Sequence, residues 1–341
     1  MSEKYFRDIK SKTKLHHTSP VKISVAMCTY NGEKFLETQL QSIDNQLRKP
    51  DEIIICDDRS EDRTVQIINE FSARTNIPVL LKRNALNLGY AKNFEQAISK
   101  CSGEFIFLSD QDDIWHTNKT IEIIKIFEEN MNLLVVAHDG KLIDAHGVWH
   151  GTTKMSQIVK GYGKKALSIT GALCCVRKKA LDLLLPFPAA AKSHDGWLSY
   201  VFSYFPEHLA FYDQCLQDIR RHSSNTSEWV VNSFHPITRL DAIRSQMSSK
   251  VASDYSDRVA MNRVLQERVN RLNDSCTKNY FRLHHEHNVR LIEELKAIEA
   301  RQKIADHRSR YLRWVDAVIL LVSGGYKFFN GYKSFLRDIA R

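Results

Sequence analysis

Short apolar runs rich in β-branched residues alternate with helix-like segments along the first part of this 341-residue chain. Strands are predicted at residues 22–28, 52–56, 78–82, 105–108, 133–137 and 169–176. Helices are predicted at 32–47, 62–73 and 91–100, where apolar side chains recur at helical spacing. Repeated strand–helix alternation requires right-handed crossovers and yields a parallel sheet. We therefore predict an α/β fold with a Rossmann-like, mostly parallel sheet flanked by helices and a mixed edge.

The fourth predicted strand runs directly into the acidic segment Asp110-Gln111-Asp112-Asp113. Ligands of open α/β sheets bind at the carboxyl ends of the strands, so these acids lie at a candidate ligand site. Crowded carboxylates repel one another, and hard oxygen ligands at this spacing suit Mg²⁺ or Mn²⁺ bridging to a substrate phosphate. The alternative is a solvated turn that caps the next helix, where Asp is also favoured. We predict the metal site, because a buried strand that leads directly into three carboxylates is not typical of an ordinary solvated turn.

Polar residues also follow the first three predicted strands. They are Thr29, Tyr30, Asn31 and Glu33 after the first strand, Asp57 and Asp58 after the second, and Asn87, Gly89 and Asn93 after the third. Hydroxyl, amide and carboxylate groups at neighbouring strand ends are suited to hold a nucleoside. Gly89 permits a tight turn at a helix start, whose free N–H groups favour an anion. Asp62 is better interpreted as a helix cap.

The composition narrows the partners and the compartment. The formal charge of +9 favours anionic partners: nucleotides, nucleic acid or an acidic membrane surface. Nucleic acid is disfavoured, because acidic strand ends repel phosphates unless a metal is present. The seven scattered cysteines have no zinc-site spacing, and an odd count argues against a complete disulfide framework. With no secretory-type leader and no run of about twenty apolar residues, we expect a cytoplasmic protein.

Changes in composition divide the chain into four predicted regions. These are a basic N-terminal extension (1–21), the sheet domain (22–235), a charged helical region (236–310) and an amphipathic tail (311–341). Gly324-Gly325 divides the tail into two predicted helices that combine aromatic and basic residues. Such helices suit the membrane interface, with an oligomer contact or a hairpin that covers a core as the alternatives.

Three motifs, taken together, resemble the family 2 glycosyltransferases with the GT-A fold. They are Met27-Cys28-Thr29-Tyr30-Asn31-Gly32, Asp57-Asp58-Arg59-Ser60 and Leu108-Ser109-Asp110-Gln111-Asp112-Asp113-Ile114-Trp115. The third is most similar to the bacterial rhamnosyltransferase-like branch. The resemblance covers about residues 22–230 and implies a GT-A domain that takes its sugar from a nucleotide diphosphate donor.

The resemblance also implies roles for individual residues. The nucleotide-sugar-binding set would be Thr29, Tyr30, Asn31, Glu33, Asp57, Asp58, Asn87, Gly89, Asn93, Asp110 and Gln111. Asp112 would contact the metal, with His222 as a further metal or phosphate ligand and Arg221 on the phosphate. The acceptor and sugar pocket would hold Asp113, Trp115, Gly171, His194 and Trp197. For Arg221 and His222, a basic surface turn is the alternative.

Enzymes of this kind invert the anomeric centre in one displacement and need a general base for the acceptor hydroxyl. Asp195, in the segment Lys192-Ser193-His194-Asp195-Gly196-Trp197, matches the late acidic block of the family and would be that base. Without the upstream motifs, this segment would be interpreted as a helix N-cap.

The resemblance implies transfer of a sugar to a growing, lipid-linked surface polysaccharide or O-antigen, with rhamnose from dTDP-rhamnose as the leading donor and UDP- or GDP-linked hexoses left open. The enzyme would lie on the inner face of a bacterial cell membrane, with homo-oligomerisation left open. One rival is a sugar nucleotidyltransferase, which would carry a Gly-rich basic loop after the first strand. The other is a non-catalytic glycan-assembly subunit, which the retained acids disfavour.

Overall fold

The computed structural model describes residues 21–162, 169–222, 255–274, 285–329 and 331–340. Within them the chain forms two compact units. The first comprises residues 21–187 and 192–222, and the second comprises 188–191 and the described residues from 255 onward. Nearly all of the predicted N-terminal extension and the predicted boundary at 235/236 lie outside the described residues.

The first unit is built of strands and helices in alternation. Its strands are β1 (Ile23–Thr29), β2 (Glu52–Asp57), β3 (Val79–Arg83), β4 (Phe105–Ser109), β5 (Ile114–Trp115), β6 (Val135–Ile143), β7 (Trp149–Thr153), β8 (Cys174–Arg177) and β9 (Leu209–Arg220). Its helices are α1 (Leu36–Asp44), α2 (Thr64–Arg74), α3 (Tyr90–Lys100), α4 (Lys119–Glu129), α5 (Lys154–Tyr162), α6 (Leu181–Leu184) and α7 (His194–Tyr204). The predicted strands up to residue 108 are confirmed to within one residue at each end.

Among the described residues, nine strands form one sheet in the order β3-β2-β1-β4-β8-β6-β9-β5, and β7 pairs with β6. Strands β3, β2, β1 and β4 are mutually parallel, whereas β8 runs antiparallel to both β4 and β6. The predicted α/β sheet with a mixed edge is therefore confirmed. All four parallel strands end at the same edge, which collects the loops that follow them.

The core explains why polar groups gather at that edge. Strands β1 and β4 are buried along their whole length, as expected for parallel strands covered on both faces. Val25, Ile55 and Phe107 are fully buried beneath helices that include α1, α2 and α4. Polar side chains can be accommodated only where these strands end.

The predicted strand at 169–176 is corrected. Residues Gly171–Leu173 form a 3₁₀ turn, and only Cys174–Arg177 pairs in the sheet. The backbone N–H of Ile169 donates to Ser199 Oγ at 2.9 Å, so this part of the chain is bonded to α7 and not to a strand. The strand predicted at 133–137 begins at Val135 and continues to Ile143.

The second unit is helical: α8 (Ser256–Asp274), α9 (His285–Asp306), α10 (Arg310–Val322) and α11 (Tyr332–Ala340), with a 3₁₀ turn at Gly325–Phe328. The tail divides at Gly324 as predicted, and the positive φ of 74° there explains the glycine. A buried ion pair joins α9 to α11, with Arg301 Nε 2.7 Å from Asp338 Oδ2. Tyr326 donates to the same carboxylate at 2.9 Å.

Candidate active site

The loops after β1 and β2 are joined by a buried carboxylate. Asp57 is fully buried and accepts hydrogen bonds from Thr29 Oγ1 at 2.9 Å and from the Ser60 N–H at 2.9 Å. Thr29 is itself only 2% exposed. These contacts favour a role for both residues in fixing the loops, and a direct nucleoside contact by either side chain would require their rearrangement.

Asp58 organises the loop after β3. Its Oδ1 accepts from Asn84 Nδ2 at 2.9 Å and from the Leu88 N–H at 2.8 Å, and its Oδ2 accepts from the Gly89 N–H at 2.9 Å. Asn87 Nδ2 donates to the Asp58 carbonyl at 3.3 Å. Gly89, with φ of 79°, then begins α3. Asn87 and Gly89, two residues of the predicted nucleotide-sugar-binding set, are thus held by hydrogen bonds to Asp58.

Asn93 has a different environment from the one predicted. It is 1% exposed and donates from Nδ2 to the Cys56 carbonyl at 2.7 Å. Its Oδ1 accepts from Asn84 Nδ2 at 2.9 Å. Asn93 therefore joins α3 to β2 beneath the loop, which argues against direct contact with a donor.

Gln111 fastens the acidic segment to the loop after β1. Its side chain accepts from the Tyr30 N–H at 2.8 Å and donates to the Tyr30 carbonyl at 2.9 Å. It passes so close to Gly32 that a Cβ there would lie 2.3 Å from Gln111 Oε1. Asn31 and Glu33 fasten the other side, each accepting from a backbone N–H of the loop after β2, at 2.9 and 3.0 Å.

The acidic cluster consists of Asp110, Asp112 and Asp113. One carboxylate oxygen of each residue lies within 4.8 Å of the corresponding oxygens of the other two. Asp113 accepts from Gln217 Nε2 at 2.8 Å and from the Arg220 N–H at 3.1 Å, both on β9. His222 Nε2 lies 2.8 Å from Asp112 Oδ2. The end of β9 therefore brings the predicted metal residues Asp112 and His222 together, 110 residues apart in sequence.

The electrostatics of this cluster favour a cation. Burial, followed by the charges of Asp112 and Asp195, raises the pKa of Asp110 to about 7. Burial and the neighbouring charges of Asp112 and Asp110 raise the pKa of Asp113 well above its ordinary range. The cluster therefore holds protons near neutral pH unless a cation replaces them. Its donors are hard oxygens with one imidazole beside them, a set that fits Mg²⁺ or Mn²⁺.

Three buried cations lie at this cluster, Lys119, Arg220 and Arg221, and the sequence assigned only Arg221, which is 8% exposed. Lys119 is fully buried. Burial, and then the charge of Arg221, lowers the pKa of Lys154 to about 8, whereas the charge of Asp195 raises it. Lys119 and Lys154 are the first residues of α4 and α5. A lysine is electrostatically unfavourable at a helix start. This unusual position is the sequence feature that could have drawn attention to both lysines.

Asp195 lies in the first turn of α7, which is capped by Ser193 accepting from the Gly196 N–H at 3.0 Å. The N-cap alternative thus describes the local structure, but the Asp195 charge also acts on Asp110, across the sheet edge. His194 is 5% exposed, its ring centroid lies 3.9 Å from that of Phe94, and burial lowers its pKa to about 4.

The predicted acceptor residues are largely interior. A Cβ on Gly171 would lie 1.8 Å from His194 Nε2, so this glycine makes room for the imidazole and not for a sugar. Trp197 is fully buried and donates to the Leu184 carbonyl at 3.0 Å. Trp115, 3% exposed, packs near Phe107 in the core. Trp115 and Trp197 are therefore interior residues in this structure, and their assignment to the sugar pocket stays a prediction.

The fold and the acidic edge define an α/β domain with a candidate metal site, and comparison with known proteins supplies its family. Residues 24–183 match the family described as Glycosyl transferase family 2, so the chain carries a domain of that family, as the motifs predicted.

The chain is similar to two curated bacterial proteins over part of its length. It is 42% identical over 98 residues to dTDP-rhamnosyl transferase RfbG of Shigella flexneri, which covers 27% of this chain and 34% of that protein. It is 32% identical over 113 residues to UDP-Glc:alpha-D-GlcNAc-diphosphoundecaprenol beta-1,3-glucosyltransferase WfgD of Escherichia coli, covering 33% and 44%. The match spans less than half the length of either relative.

A solved structure supports the fold. Residues 1–349 of S. aureus TarS in complex with UDP superpose with a TM-score of 0.51 at 16% identity, over 93% of this chain and 89% of that one. At this identity the likeness concerns the fold alone. The GT-A expectation for the fold is confirmed.

Proposed function

We propose that this chain is a metal-dependent, inverting glycosyltransferase that uses a nucleotide diphosphate sugar. The observation that carries the proposal is the acidic cluster: three carboxylates within 4.8 Å at the carboxyl edge of a family 2 domain. A site with pKa values raised by burial and mutual repulsion is a typical functional site.

Each group has a definite task in this reaction. Asp110 and Asp112 would hold the cation, with His222 beside them, and the cation would neutralise charge on the departing diphosphate. Asp195 would accept the proton of the acceptor hydroxyl as its oxygen attacks the anomeric carbon. The bond from that carbon to the diphosphate oxygen breaks in the same step, so the product has inverted configuration. Arg221, the residue that follows β9, would contact the diphosphate.

The donor and acceptor are proposed on similarity. The relative named as a dTDP-rhamnosyl transferase supports dTDP-rhamnose as the donor. The relative named for a diphosphoundecaprenol substrate supports a lipid-linked, growing surface polysaccharide as the acceptor. The interior position of Trp115 and Trp197 leaves the acceptor-facing surface to other residues of these loops.

Release of nucleoside diphosphate from a panel of nucleotide sugars tests the activity without knowledge of the acceptor. With Mn²⁺ and a lipid diphosphate sugar as acceptor, we expect dTDP-rhamnose to be consumed in preference to UDP- and GDP-hexoses. Asp195→Asn should bind the donor but lose transfer, whereas Asp112→Asn should lose metal-dependent turnover. Pyrophosphate formation from a nucleoside triphosphate and a sugar phosphate would identify a nucleotidyltransferase instead.

We further propose that the tail holds the enzyme at an anionic membrane surface. The exposed large side chains of α10 are Tyr311, Leu312, Trp314, Ile319 and Val322. Val322 is 82% and Trp314 is 53% exposed, while Ala317 and Leu320 on the opposite face are buried. Exposed cations occur at the start of α10 (Arg310) and in the segments that follow it (Lys327, Lys333 and Arg337). No helix in the described residues is long and apolar enough to cross a bilayer.

Exposed aromatic and apolar side chains on a helix, in a segment that also carries exposed cations, suit the membrane interface. We expect the protein to sediment with vesicles containing anionic phosphatidylglycerol, and the double variant Trp314→Ser/Val322→Ser to remain in the supernatant. Leu47→Ser, at an equally exposed apolar residue of the other unit, is the matched control and should sediment normally. A dimer in solution that the double variant dissociates, without vesicle binding, would assign the face to self-association instead.

A further inference from the structure

Lys119 is a fully buried lysine that the proposed reaction does not use. Its ammonium donates to Gln217 Oε1 at 2.5 Å and to the Ala172 carbonyl at 3.2 Å, and it lies 3.9 Å from the centroid of the Trp115 ring. Both acceptors are neutral groups. A buried ammonium is costly unless a negative charge compensates it, so its counter-charge must be sought further away.

The counter-charge is reached through one amide. An ammonium has only donors, so the Gln217 oxygen must point toward Lys119. The Gln217 nitrogen then points the other way and donates to Asp113 Oδ2 at 2.8 Å. Lys119, Gln217 and Asp113 thus form a chain in which the lysine determines the direction of the amide and the amide holds the carboxylate.

The charges of the cluster and its buried cations nearly cancel. Asp110, Asp112 and Asp113 supply up to three negative charges, while Lys119, Arg220 and Arg221 supply three positive charges from buried positions. A divalent ion that arrives alone therefore meets much less net negative charge than the three acids suggest. An ion that arrives with a diphosphate adds negative ligands of its own.

We propose that Lys119 is a positioning residue that partly neutralises the acidic cluster from the interior, so that a divalent ion binds weakly alone and firmly only together with the diphosphate of the donor. This inference rests on the metal-dependent function proposed above. A side chain that only anchored α4 would not need to be a buried ammonium, whereas the proposed role does.

The state of Lys119 sets the conditions of the test. Burial lowers its pKa to about 7, and the carboxylates of Asp113 and Asp110 act in the opposite direction, so the ammonium is charged at pH 6.5. Asp110 has a pKa of about 7 and titrates in the wild type and the variants alike between pH 6.5 and pH 8.5, whereas two thiols and one imidazole that also face Lys119 stay neutral. Burial raises the thiol pKa values of Cys174 and Cys175 and lowers the pKa of His138.

The experiment measures Mn²⁺ binding by the electron paramagnetic resonance signal of the free ion, with and without dTDP or UDP. At pH 6.5 we expect Lys119→Met to bind Mn²⁺ alone roughly tenfold or more tightly than the wild type, because one nearby positive charge is removed. The gain in Mn²⁺ affinity on adding nucleotide should shrink correspondingly. At pH 8.5 the difference between the two proteins should narrow, since the wild-type lysine loses its proton.

Matched variants separate charge from packing. Lys119→Arg keeps the positive charge and should still bind Mn²⁺ weakly in the absence of nucleotide. Lys119→Gln removes the charge but still offers a hydrogen-bond donor to Gln217, and it replaces the methionine variant if that protein does not fold. Gln46→Met is the control: Gln46 is 3% exposed and accepts from the Thr120 N–H at 3.1 Å, so its loss disturbs the same helix start without changing charge. It should leave Mn²⁺ binding unchanged.

Two results would overturn the inference, and they differ. If the folded Lys119→Met and Lys119→Gln proteins bind Mn²⁺ no more tightly than the wild type at pH 6.5, Lys119 has no such role, although the metal-dependent function stands. If the wild type binds no Mn²⁺ even with nucleotide, the metal-dependent function fails and the inference fails with it.

Discussion

Asp110→Asn should stabilise the metal-free protein while removing its response to metal. The pKa of Asp110 is raised from 3.8 to about 7. Each pKa unit corresponds to about 1.4 kcal/mol, so ionising this carboxyl in the folded state costs about 4 kcal/mol above pH 7. Because the folded state binds the proton more tightly than the unfolded state, stability falls as pH rises from about 4 to about 7. An amide cannot ionise and avoids this fall.

Urea denaturation of the metal-free wild type and variant at pH 5 and pH 8 measures the effect. We expect the stability of Asp110→Asn relative to the wild type to increase by about 2–3 kcal/mol between these pH values. Asp213→Asn, at an exposed carboxylate of β9, is the control and should show no such gain. Addition of Mn²⁺ at pH 8 should stabilise the wild type and not Asp110→Asn. An unchanged difference between pH 5 and pH 8 would refute the raised pKa.

Three further substitutions test the packing around the site and in the tail. Gly171→Ala places a Cβ against the His194 ring and should lower stability by about 1–3 kcal/mol, measured by thermal unfolding; an unchanged Tm would contradict the close approach. The two carboxylate oxygens of Asp58 accept hydrogen bonds from three donors, and Asp58→Asn replaces one of these oxygens by a donor. We expect this variant to lower the free energy of unfolding by about 1–3 kcal/mol and to weaken dTDP binding in calorimetry. Arg301→Leu leaves the buried carboxylate of Asp338 without its ionic partner and should lower the free energy of unfolding by about 3–5 kcal/mol. The double variant Arg301→Leu/Asp338→Leu should largely recover this loss in thermal unfolding followed by circular dichroism.

The strands and the acidic edge were readable from the sequence because each depends on local pattern. An apolar run such as residues 105–108 can only be a buried strand at that length, and the acids that follow it must then lie at the sheet edge. Gly324-Gly325 likewise marked the break in the tail, since a residue with φ of 74° is required there.

What sequence reasoning missed depends on contacts between distant segments. Lys119 and Gln217 are 98 residues apart, and nothing in the sequence shows that β9 passes beside α4. The family resemblance assigned Trp115 and Trp197 to the sugar pocket, whereas in the structure both complete the interior packing. Gly171 was expected to admit a sugar, whereas its missing side chain admits His194. A glycine in a sequence indicates that another group lies close to the backbone, but it does not identify that group.

The most direct test of the central claim is calorimetric titration of dTDP and UDP into the protein, with Mn²⁺ and with EDTA. A cation held by Asp112 and its neighbours should make one of these nucleotides bind roughly tenfold or more tightly when Mn²⁺ is present. Asp112→Asn should abolish that gain while the protein stays folded. Equal affinity in Mn²⁺ and in EDTA for both nucleotides would contradict a metal-bridged diphosphate at this edge of the sheet.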